Sequence, residues 1–179
     1  MRTEKGFSML ELLVSTVIFS IGVLSLAQVF VLGVNSIHRT KFQTRATNIA
    51  REMMEEIQSK SFDETMVGQD PTAQRDTSSF TKYKTMGDTT SGFPLDTGES
   101  STNRTTFDDI DDYAKYKEEP SSVDTKFNTS VKVVYAQDSN LNGPAKTSRS
   151  NYKRITINVT SKTYNRNITY STVSYYRGM

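Results

Sequence analysis

A chain of 179 residues, 35% hydrophobic and carrying a formal net charge of +2, is long enough for one small domain plus an appendage, and its overall charge gives no reason to expect nucleic acid as a partner. It has no cysteine, which excludes disulfides, thiolate metal sites and thiol nucleophiles together. Its apolar residues crowd into the first third. The remainder is rich in Ser, Thr, Asn and Asp with scattered Tyr and Phe, which suits a small solvated sheet domain better than a large enzyme core.

The chain opens MRTEKGFSMLELLVSTVIFS, and no Asp, Glu, Lys or Arg occurs between Leu12 and Ile37. That run exceeds the roughly 20 apolar residues needed to cross a bilayer as a helix. One reading is a secretory signal: Arg2 and Lys5 precede the run, and Ser25-Leu26-Ala27 has the small-x-small form of a cleavage site. Cleavage there would release a secreted binding module beginning at Gln28. The apolar pattern, however, continues to Val34, beyond a normal signal core. A second reading is a permanent single-pass anchor that keeps Met1. Glu11 is a carboxylate at the edge of hydrocarbon, where an uncompensated charge is costly; it reads either as a solvated glutamate at the cytoplasmic membrane face, which leaves Gly6 and Phe7 unexplained, or as a charge that something compensates.

The stretch KGFSMLELLVSTVIFSIGVLSLAQ resembles the N-terminus of type IV pilins and type II secretion pseudopilins. The resemblance covers about 25 residues closely. It implies a leader, residues 1–6, removed by a prepilin peptidase between Gly6 and Phe7, with N-methylation of the new Phe7 amine. It also implies an assembly role for Glu11. In a filament of staggered parallel helices, the Glu11 carboxylate of one subunit can meet the Phe7 amine of its neighbour. An unpaired charge in that place is penalised by several kcal/mol, so the pair favours one stagger over others. Many major pilins carry a helix-breaking proline in the twenties of the mature chain. Here that position is Gln28, which leans towards a minor subunit.

The helical pattern continues past the apolar run. Phe42, Ala46, Ile49, Ala50, Met53 and Ile57 recur at helical spacing, with Arg45, Arg51, Glu52, Glu55 and Glu56 between them. The spacing predicts one helix over 7–60, roughly 80 Å long at 1.5 Å per residue, with about 12–35 as membrane span and filament core. Residues 61–122 read as a variable connecting region, punctuated by Gly68, Pro71, Gly87, Gly92, Pro94, Gly98 and Pro120, with a short strand near 79–86. From 123 to 179 the period becomes two. TKFNTSVKVVYA, YKRITINVTS and NITYSTVSYY read as three antiparallel strands joined by turns at Asn140–Pro144 and Tyr164–Asn167. The fold class is α+β. The resemblance implies the pilin-like arrangement, a long N-terminal helix packed on a C-terminal antiparallel sheet.

Chemistry-bearing clusters are few. FDDIDDYAKYKEEP gathers Asp108, Asp109, Asp111 and Asp112, hard oxygen ligands suited to Ca²⁺ but not spaced as an EF-hand. The competing reading is an acidic turn in solvent, docked by Phe107, Ile110 and Tyr113, and the composition favours it. Lys146, Arg149, Lys153, Arg154, Lys162 and Arg166, beside Tyr152, Tyr164 and Tyr170, form either a solvated sheet face or a DNA- or surface-contacting patch; the lack of a motif favours the solvated face. The only histidine, His38, has no triad partner in prospect, and no glycine-rich phosphate loop is present, so no enzyme activity is expected. The resemblance implies other pilin or pseudopilin subunits, prepilin peptidase and the inner membrane as partners. It places the chain as a single-pass inner-membrane protein with its domain periplasmic or outside, later in a filament or at the cell surface.

Overall fold

The computed structural model describes residues 8–69, 76–83, 92–101, 103–119 and 127–176. Helix α1 spans Met9–Gln58, and the four strands β1 (Lys117–Glu118), β2 (Asn128–Tyr135), β3 (Tyr152–Ser161) and β4 (Arg166–Tyr175) follow it. The class is α+β, a long apolar N-terminal helix followed by an antiparallel sheet. The chain divides into two compact units, one up to Phe42 and one from Gln43 to Met179.

From Met9 to Ile37, within the first unit, α1 carries apolar residues on all sides and they are exposed. Leu12, Leu13, Ile18, Phe19, Leu24, Leu26, Phe30 and Leu32 are all open to the surroundings. The hydroxyls that interrupt the run do not need water. Ser15 donates to the Glu11 carbonyl at 2.7 Å, Ser20 to Thr16 at 2.7 Å and Ser25 to Ile21 at 2.8 Å, and Thr16 donates to Leu12. Back-bonding one turn down the helix satisfies each hydroxyl within the segment, which is how serine and threonine are tolerated in hydrocarbon. By length and composition α1 suffices to cross a membrane.

In the second unit the pattern becomes amphipathic. Ala46, Ala50, Met53, Met54 and Ile57 are buried, while Arg51, Glu52 and Glu55 stay in solvent. The sheet runs β1-β2-β3-β4, each pair antiparallel. Its inward face is set by the period of two. Val131, Val133 and Tyr135 of β2 stand opposite Ile157, Ile155 and Lys153 of β3, and all are buried. The β3–β4 hairpin closes through the four residues Lys162–Asn165, with Asn165 at φ 47°, a left-handed conformation that asparagine accepts. Strand β4 is an edge strand, and Tyr170 and Tyr175 on it remain largely exposed.

The region between helix and main sheet has more structure than its punctuation suggests. Among its described residues lie four single 3₁₀ turns, at Glu64–Met66, Thr77–Ser79, Arg104–Thr106 and Asp111–Tyr113, and β1 adds a fourth strand to the sheet. The strand anticipated near 79–86 is not formed over 79–83, where the Thr77–Ser79 turn ends and the backbone runs irregularly; 84–86 lie outside the described residues. Phe80, Tyr83 and Phe93 are buried and pin this region to the domain, with Tyr83 stacked on Phe93 at 4.8 Å between ring centres.

Candidate functional site

Chemistry gathers at two places that the described residues reach. The first is the start of α1. Gly6 and Phe7 lie outside the described residues. Ser8 opens the helix, its carbonyl accepting from the N–H groups of Glu11 at 2.9 Å and Leu12 at 3.2 Å. Glu11 therefore sits in the first turn, exposed, where a carboxylate also complements the helix dipole. Among the described residues its carboxylate has no ion pair within the chain. It is available to a partner.

The second place is built around Lys153. The alternation that buries Ile155, Ile157 and Val159 extends back to position 153, so β3 delivers a lysine to the core face with 0% exposure. An ammonium taken out of water needs an acceptor for each N–H. Lys153 Nζ donates to the Phe62 carbonyl, lies 3.1 Å from Asp63 Oδ2 and 2.8 Å from Asp111 Oδ2, and faces the Phe62 ring at 4.5 Å. Burial works against its charge, but Asp111, Asp63 and Asp109 outweigh it and hold the ammonium above its ordinary pKa. Asp63 and Asp111 compete for this one cation. Burial raises Asp63 too, yet Lys153 and the N–H groups of Thr81 and Thr65 bring it below the usual carboxylate value. Asp111 receives no backbone N–H among the described residues, and burial pushes it well up against the pull of Lys153.

The turn at 107–113 corrects the expectation of an acidic turn in solvent. Asp109, Asp111 and Asp112 are buried, and only Asp108 is exposed. The hydrophobic residues between the aspartates draw the turn inward: Phe107, Ile110 and Tyr113 are at most 1% exposed, and Phe107 packs edge-on against Tyr113. The carboxylates hold the backbone in place of water. Asp109 Oδ1 accepts from the N–H groups of Asp111 at 2.6 Å and Asp112 at 3.1 Å. Asp112 Oδ2 accepts in return from those of Asp108 at 3.0 Å and Asp109 at 3.1 Å. The backbone of the turn is also tied to the segment after α1: Ser61 N–H donates to the Asp108 carbonyl and Ile110 N–H to that of Ser61.

The four aspartates named from the sequence do not act together. Asp111 belongs to Lys153, and Asp108 points to solvent. Asp109 and Asp112 instead meet three acids from elsewhere. Glu64, Asp96 and Asp109 each offer an oxygen within 4.8 Å of the others, and so do Asp96, Glu99 and Asp112. Burial, then the charges of Asp96, Asp108 and Asp112, push Glu64 up to about 7. Burial, with Asp112 beside it, pushes Glu99 up to about 8. Burial raises Asp109 to about 7 against the pull of Lys153, with Asp112 adding to the rise. Asp96 is raised by burial and by Asp112. Lys153 was legible as a core residue from the phase of β3, and a buried lysine calls for buried acids. Glu64, Asp96 and Glu99 had no such signal, because they lie in irregular segments.

The basic residues of the last third do not gather into one patch. Lys153 is in the core. Arg154 donates to the carbonyls of Leu141 at 3.0 Å and Gly143 at 2.6 Å, and Lys146 pairs with Asp138 at 3.3 Å.

Comparison with protein families matches residues 1–27 to the prokaryotic N-terminal methylation motif, the hallmark of type IV pilin-like proteins. The match includes Gly6, Phe7 and Glu11, and it supports a pilin-like precursor processed by prepilin peptidase. Comparison with curated proteins and with solved structures gives no match.

Proposed function

We propose that this chain is a structural subunit, a minor pilin, of a type IV pilus or a related secretion filament. The observation that carries the reading is the methylation motif over 1–27 running directly into a helix whose most apolar window is entirely unburied. A surface of that kind needs lipid or other helices against it. Cleavage between Gly6 and Phe7 and methylation of Phe7 would leave an amine beside a helix that carries Glu11 in its first turn. The helix would reside first in the inner membrane, with the globular unit outside it, and then in the filament among neighbouring helices. A pseudopilin of a type II secretion system would use the same parts in the same way.

The test begins with intact mass and N-terminal sequencing of the protein from its host. A mature chain starting at N-methyl-Phe7 supports the reading, and a start at Gln28 replaces it with a secreted module. Gly6 replaced by a bulky residue is expected to block cleavage. Glu11→Ala is expected to be cleaved and methylated as the wild type yet to be depleted from sheared filaments. Incorporation at the wild-type level would remove the charge-pairing role of Glu11.

A further inference from the structure

Five carboxylates from three separate segments converge beside the Lys153 cluster. Glu64 comes from the 3₁₀ turn after α1, Asp96 and Glu99 from a turn closed by the Glu99 N–H on the Asp96 carbonyl, and Asp109 and Asp112 from the buried turn. Asp109 and Asp112 are 0% and 1% exposed, and each spends one oxygen on backbone N–H groups. Their other oxygens, Asp109 Oδ2 and Asp112 Oδ1, are buried and meet no donor among the described residues; Glu64 Oε2 is in the same condition. A buried acceptor without a donor is costly, and here three of them lie in one acidic cluster. Lys153 does not relieve them, since its N–H groups are directed to Phe62, Asp63 and Asp111.

We propose that Glu64, Asp96, Glu99, Asp109 and Asp112 bind Ca²⁺. Ca²⁺ takes six to eight oxygens at about 2.3–2.6 Å, so oxygens on opposite sides of the ion stand about 4.6–5.2 Å apart. The 4.8 Å limit within each carboxylate trio fits that shell, and Asp96 is common to both trios. Glu64, Asp96 and Glu99 are only partly buried, which leaves the site a path to solvent and room for water ligands. Magnesium, with its near-octahedral shell at about 2.0–2.1 Å and its retained waters, suits five converging carboxylates less well. The ion clamps three segments that little regular structure holds, so its binding is linked to the folding of the domain. The site lies wholly within Gln43–Met179 and stands whatever the N-terminal segment does.

The experiment uses the full chain in detergent, stripped with EGTA and dialysed against CaCl₂, with bound calcium measured by atomic absorption and unfolding followed by tyrosine circular dichroism. The wild type is expected to bind stoichiometric Ca²⁺, and its unfolding midpoint is expected to climb steadily with CaCl₂ concentration. MgCl₂ at the same concentrations is expected to shift the midpoint far less. Asp96→Asn and Glu99→Gln are each expected to weaken Ca²⁺ binding by on the order of tenfold or more, because ligand charge sets the affinity of such sites. Asp108→Asn, outside the ligand set, is expected to bind within about threefold of the wild type. The proposal is overturned if the wild type holds no calcium and its midpoint ignores both CaCl₂ and EGTA. It is equally overturned if Mg²⁺ stabilises as well as Ca²⁺, or if Asp96→Asn and Glu99→Gln bind as the wild type does. Should Asp96→Asn fail to fold, the wild-type titration and the more accessible Glu99→Gln still decide.

Discussion

Replacing Lys153 with methionine keeps the four-atom stem of the side chain among Phe62, Phe93 and Tyr135 and removes the ammonium. What remains is Asp63 and Asp111 in the core with no cation, and Asp109 close by. Removing one partner of a buried ion pair costs about 3–5 kcal/mol, because the survivor is left charged and desolvated or must take up a proton. A unit of about 140 residues, Gln43–Met179, unfolds with an entropy of roughly 0.3 kcal/mol per degree at its midpoint. The unfolding midpoint of Lys153→Met is therefore expected to fall by about 10–17 °C.

The assay is thermal unfolding of the full chain in detergent, read in the near-ultraviolet circular dichroism of tyrosine. All nine tyrosines lie beyond Gln43 and there is no tryptophan, so the signal reports on the second unit and not on the helix held in the micelle. A compensating variant separates charge from packing. Lys153→Met combined with Asp63→Asn and Asp111→Asn removes the orphaned acids and is expected to recover at least half of the loss. A Lys153→Met midpoint within about 3 °C of wild type, a change of about 1 kcal/mol, would refute the reasoning. So would a triple variant less stable than the single one, since the damage would then not come from uncompensated carboxylates.

Three further outcomes are expected. Tyr83→Phe removes the hydroxyl that accepts the buried Tyr135 N–H at 2.6 Å and donates to the Lys146 carbonyl at 3.1 Å, and its unfolding midpoint should fall by the equivalent of about 1–3 kcal/mol. Gly98 holds φ 100° in the turn where Asp96 N–H donates to Glu99 Oε2 at 3.2 Å; Gly98→Ala strains that turn by about 1–3 kcal/mol and should weaken Ca²⁺ uptake measured by dialysis. In metal-free protein, Glu64 and Asp109 sit at about 7 and Glu99 at about 8, faced by Asp96, Asp108 and Asp112, with Lys153 the cation acting on Asp109. The folded state then holds protons that the unfolded state releases near 4, so its stability is greatest at the acid end and falls as pH rises towards 8. Midpoints measured in EGTA from pH 5 to 8 should decline, saturating CaCl₂ should flatten the decline, and a rising metal-free curve would contradict it.

What the sequence made legible follows from repetition. The helix was readable because Ala46, Ala50, Met53 and Ile57 repeat one geometric rule, and β3 because Ile155, Ile157 and Val159 repeat another. The sequence from 61 to 119 repeats nothing, and among its described residues the structure before β1 is single 3₁₀ turns and irregular backbone, three of the turns capped by one polar side chain. Even so, those turns share a local grammar. Asp63 accepts from Thr65 N–H, Asp76 from Ser78 N–H and Asn103 from Thr105 N–H, each two residues along, as aspartate and asparagine do when they stand in for a backbone turn. Asp109 accepts from Asp111 N–H in the same way. Which of these turns is buried was not legible, because an acidic run reads as solvated until something nearby carries the opposite charge inward. That something is Lys153, in phase with the buried face of its strand and 42 residues after Asp111. A charge on the apolar phase of a strand is therefore the stronger signal: it requires buried acids from elsewhere in the chain, which here come from the Asp63 and Asp111 turns.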